Sequence, residues 1–457
     1  MILRPYQNEI LNQARAAMRR GVHSLVIESP TGSGKTALTA MMVKTAASRG
    51  IRCWFLMHRI ELLRQSMATF RAVGVEFGVI ATGFTPDYRA MVQLCSIGTL
   101  KRRLSLLPAP GLIIYDESHH VAAKSWADIH ATYPMAFHVG LTATPERLDG
   151  KGLGSFFKEM IRGPSIAWLI EQGFLSRYRL VAPPGGVNAD GVHRTMGDFN
   201  HAELAVVADV PTITGNAVRE YLKRAAGKRA IARGVNIHHS QDIAAQFNAV
   251  GIPARHVDGE APRAERHESM DSFMRGETLV LSNVDLFSEG GDVHAVERII
   301  DLRPTQSLTL WLQFCGRALR TYPGKECAVL IDMAGNLKRH GLPCQAREWS
   351  LSGRKKSKAG AGVGVLLCPK CFGAQFGRPL VCAFCGHRFE VREGREVKMV
   401  DGNLIEIDIA AERAKIQAKR EQGAARTIDE LVALGVKRGY RSPRLWAINL
   451  MRARGGK

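Results

Sequence analysis

The sequence predicts an α/β protein with two tandem parallel-sheet domains, followed by a small four-cysteine module and a basic helical tail. Three observations carry this prediction. Short continuous apolar runs alternate with helical patterns across residues 24 to 145, the rhythm of parallel strands covered on both faces. A second such series runs from about Lys228 to Asp332, and beyond it the strand-like runs stop. Four cysteines then fall in two close pairs, and the chain ends in a strongly basic stretch.

In the first series SLVIE, IRCWFLM, VQLCS, GLIIYDE and FHVGLTA read as strands, with helices starting at about Gly34 and about Ile60. In the second, RAIARGV, ARHV, TLVLS, ERIID and AVLID read as strands. APPGGVNADG at 182–191 has the Gly and Pro content of a loop or linker between the two domains. SGRKKSKAGAGVG at 352–364 has the composition of a flexible basic linker. The expected divisions are 1–180, 181–345, a linker at 346–364, a metal module at 365–392 and a helical segment at 393–457.

At 457 residues and 46% hydrophobic content the chain can bury several cores, which excludes a disordered or fibrous protein. No run is long and apolar enough to span a bilayer and no secretory pattern opens the chain, so a cytoplasmic location without membrane attachment is expected. The formal charge of +21 favours a polyanionic partner, nucleic acid first. Residues 346–457 hold 23 Lys and Arg against 11 Asp and Glu, so +12 of that charge lies in the final quarter.

SPTGSGKT at 29–36 follows the strand SLVIE and precedes a helical pattern. Such a turn can cradle phosphate oxygens on the N–H groups of Thr31, Gly32, Ser33 and Gly34 at a helix N-terminus. Lys35 adds a point charge and Thr36 a hydroxyl for Mg²⁺. Ser29 stands where the general pattern has glycine. The run LIIYDESHH, 112–120, ends in adjacent carboxylates at a strand's carboxyl edge, where open α/β sheets bind ligands. Asp116 would steady Mg²⁺ with Thr36, and Glu117 would orient or deprotonate an attacking water.

CPKC at 368–371 and CAFC at 382–385 form a C-x₂-C-x₁₀-C-x₂-C array. Cys368, Cys371, Cys382 and Cys385 can close a tetrahedral Zn²⁺ centre that stabilises a module too small for its own core. Paired disulfides are the alternative, and nothing in the chain indicates an oxidising compartment. Four thiolates complete the shell without His387, and the other five cysteines are isolated packing residues.

TGSGKT, DESH, TATP at 142–145 and QFCGRALR at 313–320 resemble motifs I, II, III and VI of superfamily 2 DEAD/DEAH-box helicases, in that family's order, over about residues 1 to 335. LRPYQ at 3–7, LMHRIELLRQS at 56–66 and IIDLRPTQSLTLWLQFCGRALR at 299–320 further resemble RadD-type bacterial DNA-repair helicases and their phage relatives. The resemblance implies two RecA-like domains clasping ATP, hydrolysis coupled to movement on nucleic acid, and DNA as substrate in repair, recombination or replication. It implies that Arg317 and Arg320 are arginine fingers with Gln313 beside them, at i, i+4 and i+7 on one helical face. It places Arg4 and Gln7 at the adenine, with Gln7 reading the base edge. SEGGDVH at 288–294 is similar to motif V, bringing Gly290 and Asp292 to the ATP site, although Gly291 and His294 depart from the pattern. By resemblance to motif Ia, Arg59 would touch a strand phosphate, and Thr99 in SIGTLKRR would do so from the next loop. RAIARGVNIHHS has the strand of motif IV and not its polar cluster, so His238 and His239 are expected to be loop residues. Replication or repair proteins are the implied partners of the C-terminal segment.

Overall fold

The computed structural model describes residues 2–147, 150–184, 186–195, 198–259, 261–284, 296–353, 364–377, 379–389, 421–422, 425, 427–440 and 442–455. Gly290 and Asp292, and most of the basic linker, lie outside them.

The first lobe is a seven-stranded parallel sheet. Its strands are β1 Ser24–Glu28, β2 Cys53–Met57, β3 Gly78–Ile80, β4 Val92–Ser96, β5 Leu112–Tyr115, β6 Phe137–Thr142 and β7 Glu159–Arg162. Their order is β3-β4-β2-β5-β6-β1-β7. Helices α1 Pro5–Arg19, α2 Lys35–Ala47, α3 Ile60–Val73, α4 Ile97–Lys101, α5 Lys124–Thr132 and α6 Ile166–Glu171 accompany it. Because successive side chains on a strand point to opposite faces, a fully apolar run feeds two cores. Cys53, Phe55 and Met57 join one with Ile10, Leu38 and Phe70, while Trp54 and Leu56 join the other with Trp126 and Phe157.

In the second lobe, β8 Tyr178–Val181 is followed by a small hairpin, β9 Arg194–Thr195 and β10 Asp198–Phe199, then β11 Ala230–Arg233, β12 Ala254–His256, β13 Val280–Asn283, β14 Arg298–Asp301 and β15 Ala328–Asp332. The parallel sheet runs β12-β13-β11-β14-β15-β8. Its helices are α7 His201–Ala208, α8 Pro211–Ala225, α9 Ile237–Ala249, α10 Arg263–Arg275, α11 Leu308–Ala318 and α12 Asn336–His340. The division expected at residue 180 falls inside β8, all four residues of which pair with β15. Of the stretch expected to be a loop or linker, residues 182–184 and 186–191 carry no helix or strand and pack within this lobe: Val187 N donates to Met333 O at 2.6 Å, and Val187 and Ala189 are buried with Phe199. His238 and His239 also differ from expectation. They occupy the first turn of α9, where Asn236 caps the helix by accepting from His239 N and His239 is fully buried.

The cysteine module is an antiparallel pair, β16 Val365–Leu367 and β17 Ala374–Phe376, with its cysteines on the flanking turns. It is seated on the edge of the second sheet. Ala182 N donates to Phe372 O at 3.1 Å, Gly373 bridges to Val181, Arg179 lies 4.7 Å from the Phe384 ring, and Ala374 is buried in the lobe's core. Residues 391–457 form a separate unit in which α13 Ile428–Lys437 and α14 Pro443–Gly455 pack as a hairpin. Thr427 and Glu430 close a capping box on α13, and Gly435 leaves room for Pro443 and Trp446.

A buried ion pair organises the second lobe. Arg233 grips Asp301 through two bonds, Nε to Oδ1 at 2.9 Å and Nη2 to Oδ2 at 2.7 Å, with both side chains only 1% exposed. Asn336 Nδ2 donates to the same carboxylate at 2.9 Å, and the guanidinium lies 4.4 Å from the Phe314 ring. Removing one partner of such a pair strands the other charge in the core. Asp301→Ala should therefore cost about 3–5 kcal/mol, measured as a lowered urea midpoint, and a midpoint within error of the parent would refute this assignment.

Candidate active site

The phosphate loop connects β1 to α2 at the carboxyl edge of the first sheet. Gly32 and Gly34 adopt φ of 85° and 83°, a left-handed conformation that glycine tolerates, and α2 begins directly at Lys35. A Cβ on Gly34 would lie 2.6 Å from Gln7 Nε2. The departure at Ser29 has a local use: its hydroxyl hydrogen-bonds that of Ser33 at 2.7 Å, tying the two ends of the loop. Lys35 Nζ donates to Ser29 O at 3.2 Å and stands 3.9 Å from Glu117 Oε1.

Glu28, the last residue of β1, is buried beneath this loop. Desolvation pushes its carboxyl up to about 7, against the opposing pull of Lys35 and Arg162. At the end of β5, separated from β1 by β6, burial and the adjacent Glu117 charge raise Asp116 to about 6. A buried carboxyl held in this way is suited to a cation. Glu117 is in the left-handed region, φ 48° and ψ 54°, unusual for a residue with a side chain. Its Oε2 lies 3.5 Å from His119 Nδ1, and the same nitrogen is 3.3 Å from Thr142 Oγ1. Thr142 Oγ1 in turn donates to Thr144 O at 2.9 Å, so the acid pair and the TATP turn form one network.

The second lobe completes the site through one face of α11. Thr144 Oγ1 donates to Thr309 Oγ1 at 2.9 Å, and Gln313 Nε2 donates to Glu117 Oε2 at 3.3 Å. A Cβ on Gly316 would sit 2.6 Å from that of Thr31, and one on Gly32 would sit 3.6 Å from Arg320 Cγ. Positions 309, 313 and 316 share a helical face. α11 ends at Ala318, so Arg320 lies just beyond the helix and not on its face as the i+7 spacing anticipates; the chain still brings it over Gly32. Burial lowers its guanidinium to about 10. Arg317 is buried beside it on the last turn of α11.

Other expected residues differ. Gln7 is buried and both ends of its amide meet backbone: Oε1 accepts from Arg4 N at 2.9 Å, while Nε2 donates to Ser33 O and Gly34 O at 3.1 and 3.2 Å. It holds the loop, and contact with a base edge would require exchanging one of these bonds. The Arg4 guanidinium donates to Tyr6 OH at 3.2 Å and lies 4.6 Å from the Phe174 ring, and Tyr6 OH in turn donates to Ser33 O of the loop at 2.5 Å. Arg59 caps α3 at the sheet's edge. Thr99 lies on α4 and is itself buried, 4% exposed, with its hydroxyl 3.4 Å from that of Thr82, whereas Gly98, Lys101 and Arg102 of the same segment are exposed. Tyr6, Glu28, Thr144, Thr309 and Gly316 were not singled out from sequence; Gly316, inside an otherwise apolar helical run, carried the one readable signal.

Among the described residues Cys368, Cys371, Cys382 and Cys385 bring their sulfurs within 4.8 Å of one another. The Cys368–Cys385 and Cys371–Cys382 separations are 3.6 and 3.7 Å. A tetrahedral Zn–S₄ centre with bonds of about 2.3 Å spaces its sulfurs by about 3.8 Å, whereas a disulfide holds them at about 2.0 Å. The donor set fits zinc.

A phosphate loop and an acid pair at the carboxyl edge of one parallel sheet, with a helix arriving from a second parallel sheet, define a two-lobed nucleotide-hydrolysing enzyme. Family models described as "Type III restriction enzyme, res subunit" and "Helicase conserved C-terminal domain" match residues 1–147 and 215–322. A 51.5 kDa protein of Lactococcus phage (isolate 7-9) is 34% identical over 402 residues, spanning 87% of this chain and 86% of the phage protein. IRC3 of Saccharomyces cerevisiae, named as an ATP-dependent helicase, is 27% identical over 355 residues, 73% of this chain and 52% of that one, so the chain spans about half of that relative. The fold matches the ATP-dependent Type ISP restriction-modification enzyme LlaBIII bound to DNA, with a TM-score of 0.56 and 19% identity, over 72% of this chain and 28% of that one. The chain belongs to the superfamily 2 helicases, ATP-hydrolysing helicases or translocases with tandem RecA-like domains. The narrower resemblance to RadD-type repair helicases gains no support from these matches.

Glu28 sets a pH test. Its folded pKa is raised above the unfolded value of 4.5, so the native state binds the extra proton and wild-type stability falls as pH rises from about 4.5 through about 7. Glu28→Gln should flatten that decline, with a melting temperature equal to wild type near pH 4 and higher at pH 8. Parallel profiles across this range would exclude the assignment.

Proposed function

We propose that the chain is an ATP-dependent DNA motor acting in repair, recombination or replication. The observation that carries this reading is the seating of α11 on the phosphate loop, with Gln313 bonded to Glu117 across the lobe boundary. In this reading the N–H groups of Thr31 to Gly34 and Lys35 hold the phosphates, and Arg4 and Gln7 border the adenine. Mg²⁺, held by Thr36 and Asp116, neutralises phosphoryl charge when bound. Glu117 orients the attacking water and takes its proton, with His119 and Gln313 fixing the carboxylate. Arg317 and Arg320 offset charge on the transferring oxygens, so hydrolysis requires both lobes together. Arg59 and the backbone at Gly98 contact strand phosphates without reading sequence, as movement along DNA requires. The basic C-terminal segment, 393–457, adds affinity for DNA or for a repair or replication protein.

We assign Zn²⁺ to the four thiolates. Val365 and Ala374 of the module pack with the second lobe's core, beside Leu342, Cys344 and Trp349 of the preceding segment, so the module supports that lobe. A chain cut after Gly341 loses part of that core and should not fold as an independent motor. Cys382→Ser with Cys385→Ser should lower bound zinc and the melting temperature together; zinc loss with an unchanged melting temperature would reject structural support.

ATP turnover measured with single-stranded DNA, duplex, forked DNA and RNA, followed by strand displacement on the strongest activator, tests the motor. Stimulation by RNA alone would overturn the DNA assignment, and stimulation by DNA without displacement would identify a remodelling translocase. Glu117→Gln should bind ATP and fail to hydrolyse it, and Arg317→Ala or Arg320→Ala should lower turnover by about 10³ with nucleotide affinity largely kept. Normal hydrolysis in the Glu117 variant would remove it from the mechanism.

A further inference from the structure

After α12 the chain does not stay on the second lobe. Residues 347–353 cross to the first lobe before the chain returns at β16 to the second. The crossing has a rigid root. Arg347 donates through Nη1 to Pro343 O and Gln345 O at 3.0 and 2.9 Å, and through Nη2 to His340 O and Leu342 O at 3.1 and 2.9 Å, so one planar guanidinium gathers four carbonyls of its own lobe. Trp349 packs its ring on the second lobe's core while its carbonyl accepts from Arg162 of β7 at 2.8 Å. Leu351 is already part of the first lobe: its side chain packs on the cluster containing Leu153 and Phe157, and its carbonyl accepts from Gly154 N at 2.8 Å. Gly353 bridges to Lys151.

The surface it lies on follows directly from the TATP turn. Glu146 bridges to Gly152, and Arg147 N donates to Lys151 O at 2.8 Å, so residues 146–152 double back immediately after Pro145. The fit has no slack. A Cβ on Gly152 would stand 2.0 Å from Leu351 O and 2.2 Å from Gly353 N, and Gly353, at φ 89°, would bring a Cβ to 2.6 Å from Gly152 N. The second lobe thus meets the TATP turn directly where Thr309 bonds Thr144, and through this segment it holds Lys151, Gly152 and Gly154, of which Gly152 bridges to Glu146 just past the turn. Thr142, within that turn, meets His119, and His119 meets Glu117.

We propose that residues 347–353 are a positioning strap for the hydrolytic site: docked on Gly152 and Gly154, they fix the Thr142–Thr144 turn and through His119 set the orientation of the Glu117 carboxylate. None of these residues touches the reacting atoms, so their action is indirect. The strap rests on the reading that α11 and Glu117 together complete the ATP site. Because it belongs covalently to the second lobe and grips the first beside the turn that α11 contacts, it also keeps the two lobes close while α11 separates from the loop. Reassembly of the site then starts from a near-aligned geometry.

The test uses the full chain with Gly152→Ala, which pushes the strap away by its added methyl, and Leu351→Ala, which removes its anchor. Leu351→Met is the conservative rescue, and Arg320→Ala is the control for the two-lobe site. ATP turnover should fall about 10- to 100-fold in the first two variants, the scale of an ångström-level misplacement. Whatever the loss of packing does to the melting temperature, ATP KM and affinity for a non-hydrolysable ATP analogue should remain at wild-type values at a temperature well below it, and Leu351→Met should restore turnover. Wild-type turnover in Gly152→Ala and Leu351→Ala, with Arg320→Ala inactive, would leave the two-lobe site intact and overturn the strap. A fall in melting temperature and analogue affinity that tracks turnover would also overturn it, in favour of simple support for the first lobe. Normal turnover in Arg320→Ala would remove the two-lobe reading itself, and the strap with it.

Discussion

The absence of a side chain at Gly316 is the constraint on which the rest of the site depends. α11 can rest against Thr31 only because nothing projects from that position. Once it does, the register of the helix decides what else meets the first lobe: Thr309 reaches Thr144, Gln313 reaches Glu117, and Arg320 follows just past the helix end over Gly32. Two sheets with no strand in common are thereby aligned by a backbone approach and a few polar side chains, beside a small apolar cluster in which Leu319 packs with Leu169 and Leu175. A larger apolar interface would hold the lobes together more firmly, and it would resist the separation that a cycle of nucleotide exchange needs. The limited, closely fitted contact seen here is compatible with repeated opening.

Buried charge is satisfied unequally in the two lobes, and the difference has a physical sense. In the first lobe Glu28 and Asp116 are buried with raised pKa values, which costs stability in exchange for carboxyls ready to respond to a cation or to a phosphate-bearing ligand. The second lobe buries an acid too, but Arg233 and Asn336 satisfy Asp301 fully, and the neighbouring Asp332 accepts from Ala334, Asn336 and Leu337 backbone N–H groups. The satisfied network lies under α11 and makes a stiff platform for it. Strain at Glu117, φ 48°, sits opposite that platform. Burial and the nearby Asp301 charge raise Asp332 to about 6 as well, so burial perturbs acids in both lobes and those of the second are tied down by the donors around them.

Central strands were legible in the sequence because a strand buried on both faces must be apolar throughout: SLVIE, VQLCS and AVLID are β1, β4 and β15 without change. The edge strands β3, β7 and β8 were not, since short edges carry mixed residues such as Glu159 and Arg162 and have no period to detect. The phosphate loop and acid pair were readable from residue type and spacing alone. What sequence could not supply was partnership. That Gln7 spends its amide on backbone, that Thr99 turns inward to Thr82, and that residues 182–191 pack under Met333 are consequences of tertiary neighbours. The strap was hidden for the same reason: 347–353 has neither strand nor helix pattern, and its meaning comes from glycines two hundred residues earlier.

The seating of the cysteine knuckle on β8 has a consequence for how the chain survives outside its active state. An edge strand offers unpaired backbone groups to any passing chain, and natural proteins shield such edges to avoid polymerising. Here Phe372 and Gly373 occupy the outer side of Val181 and Ala182. Oxidising or stripping the four thiols would free that turn and uncover the Tyr178–Val181 edge beside a core that includes Leu180. Loss of the knuckle would then turn one molecule into a template for others, so thiol chemistry at the cysteine module would govern aggregation.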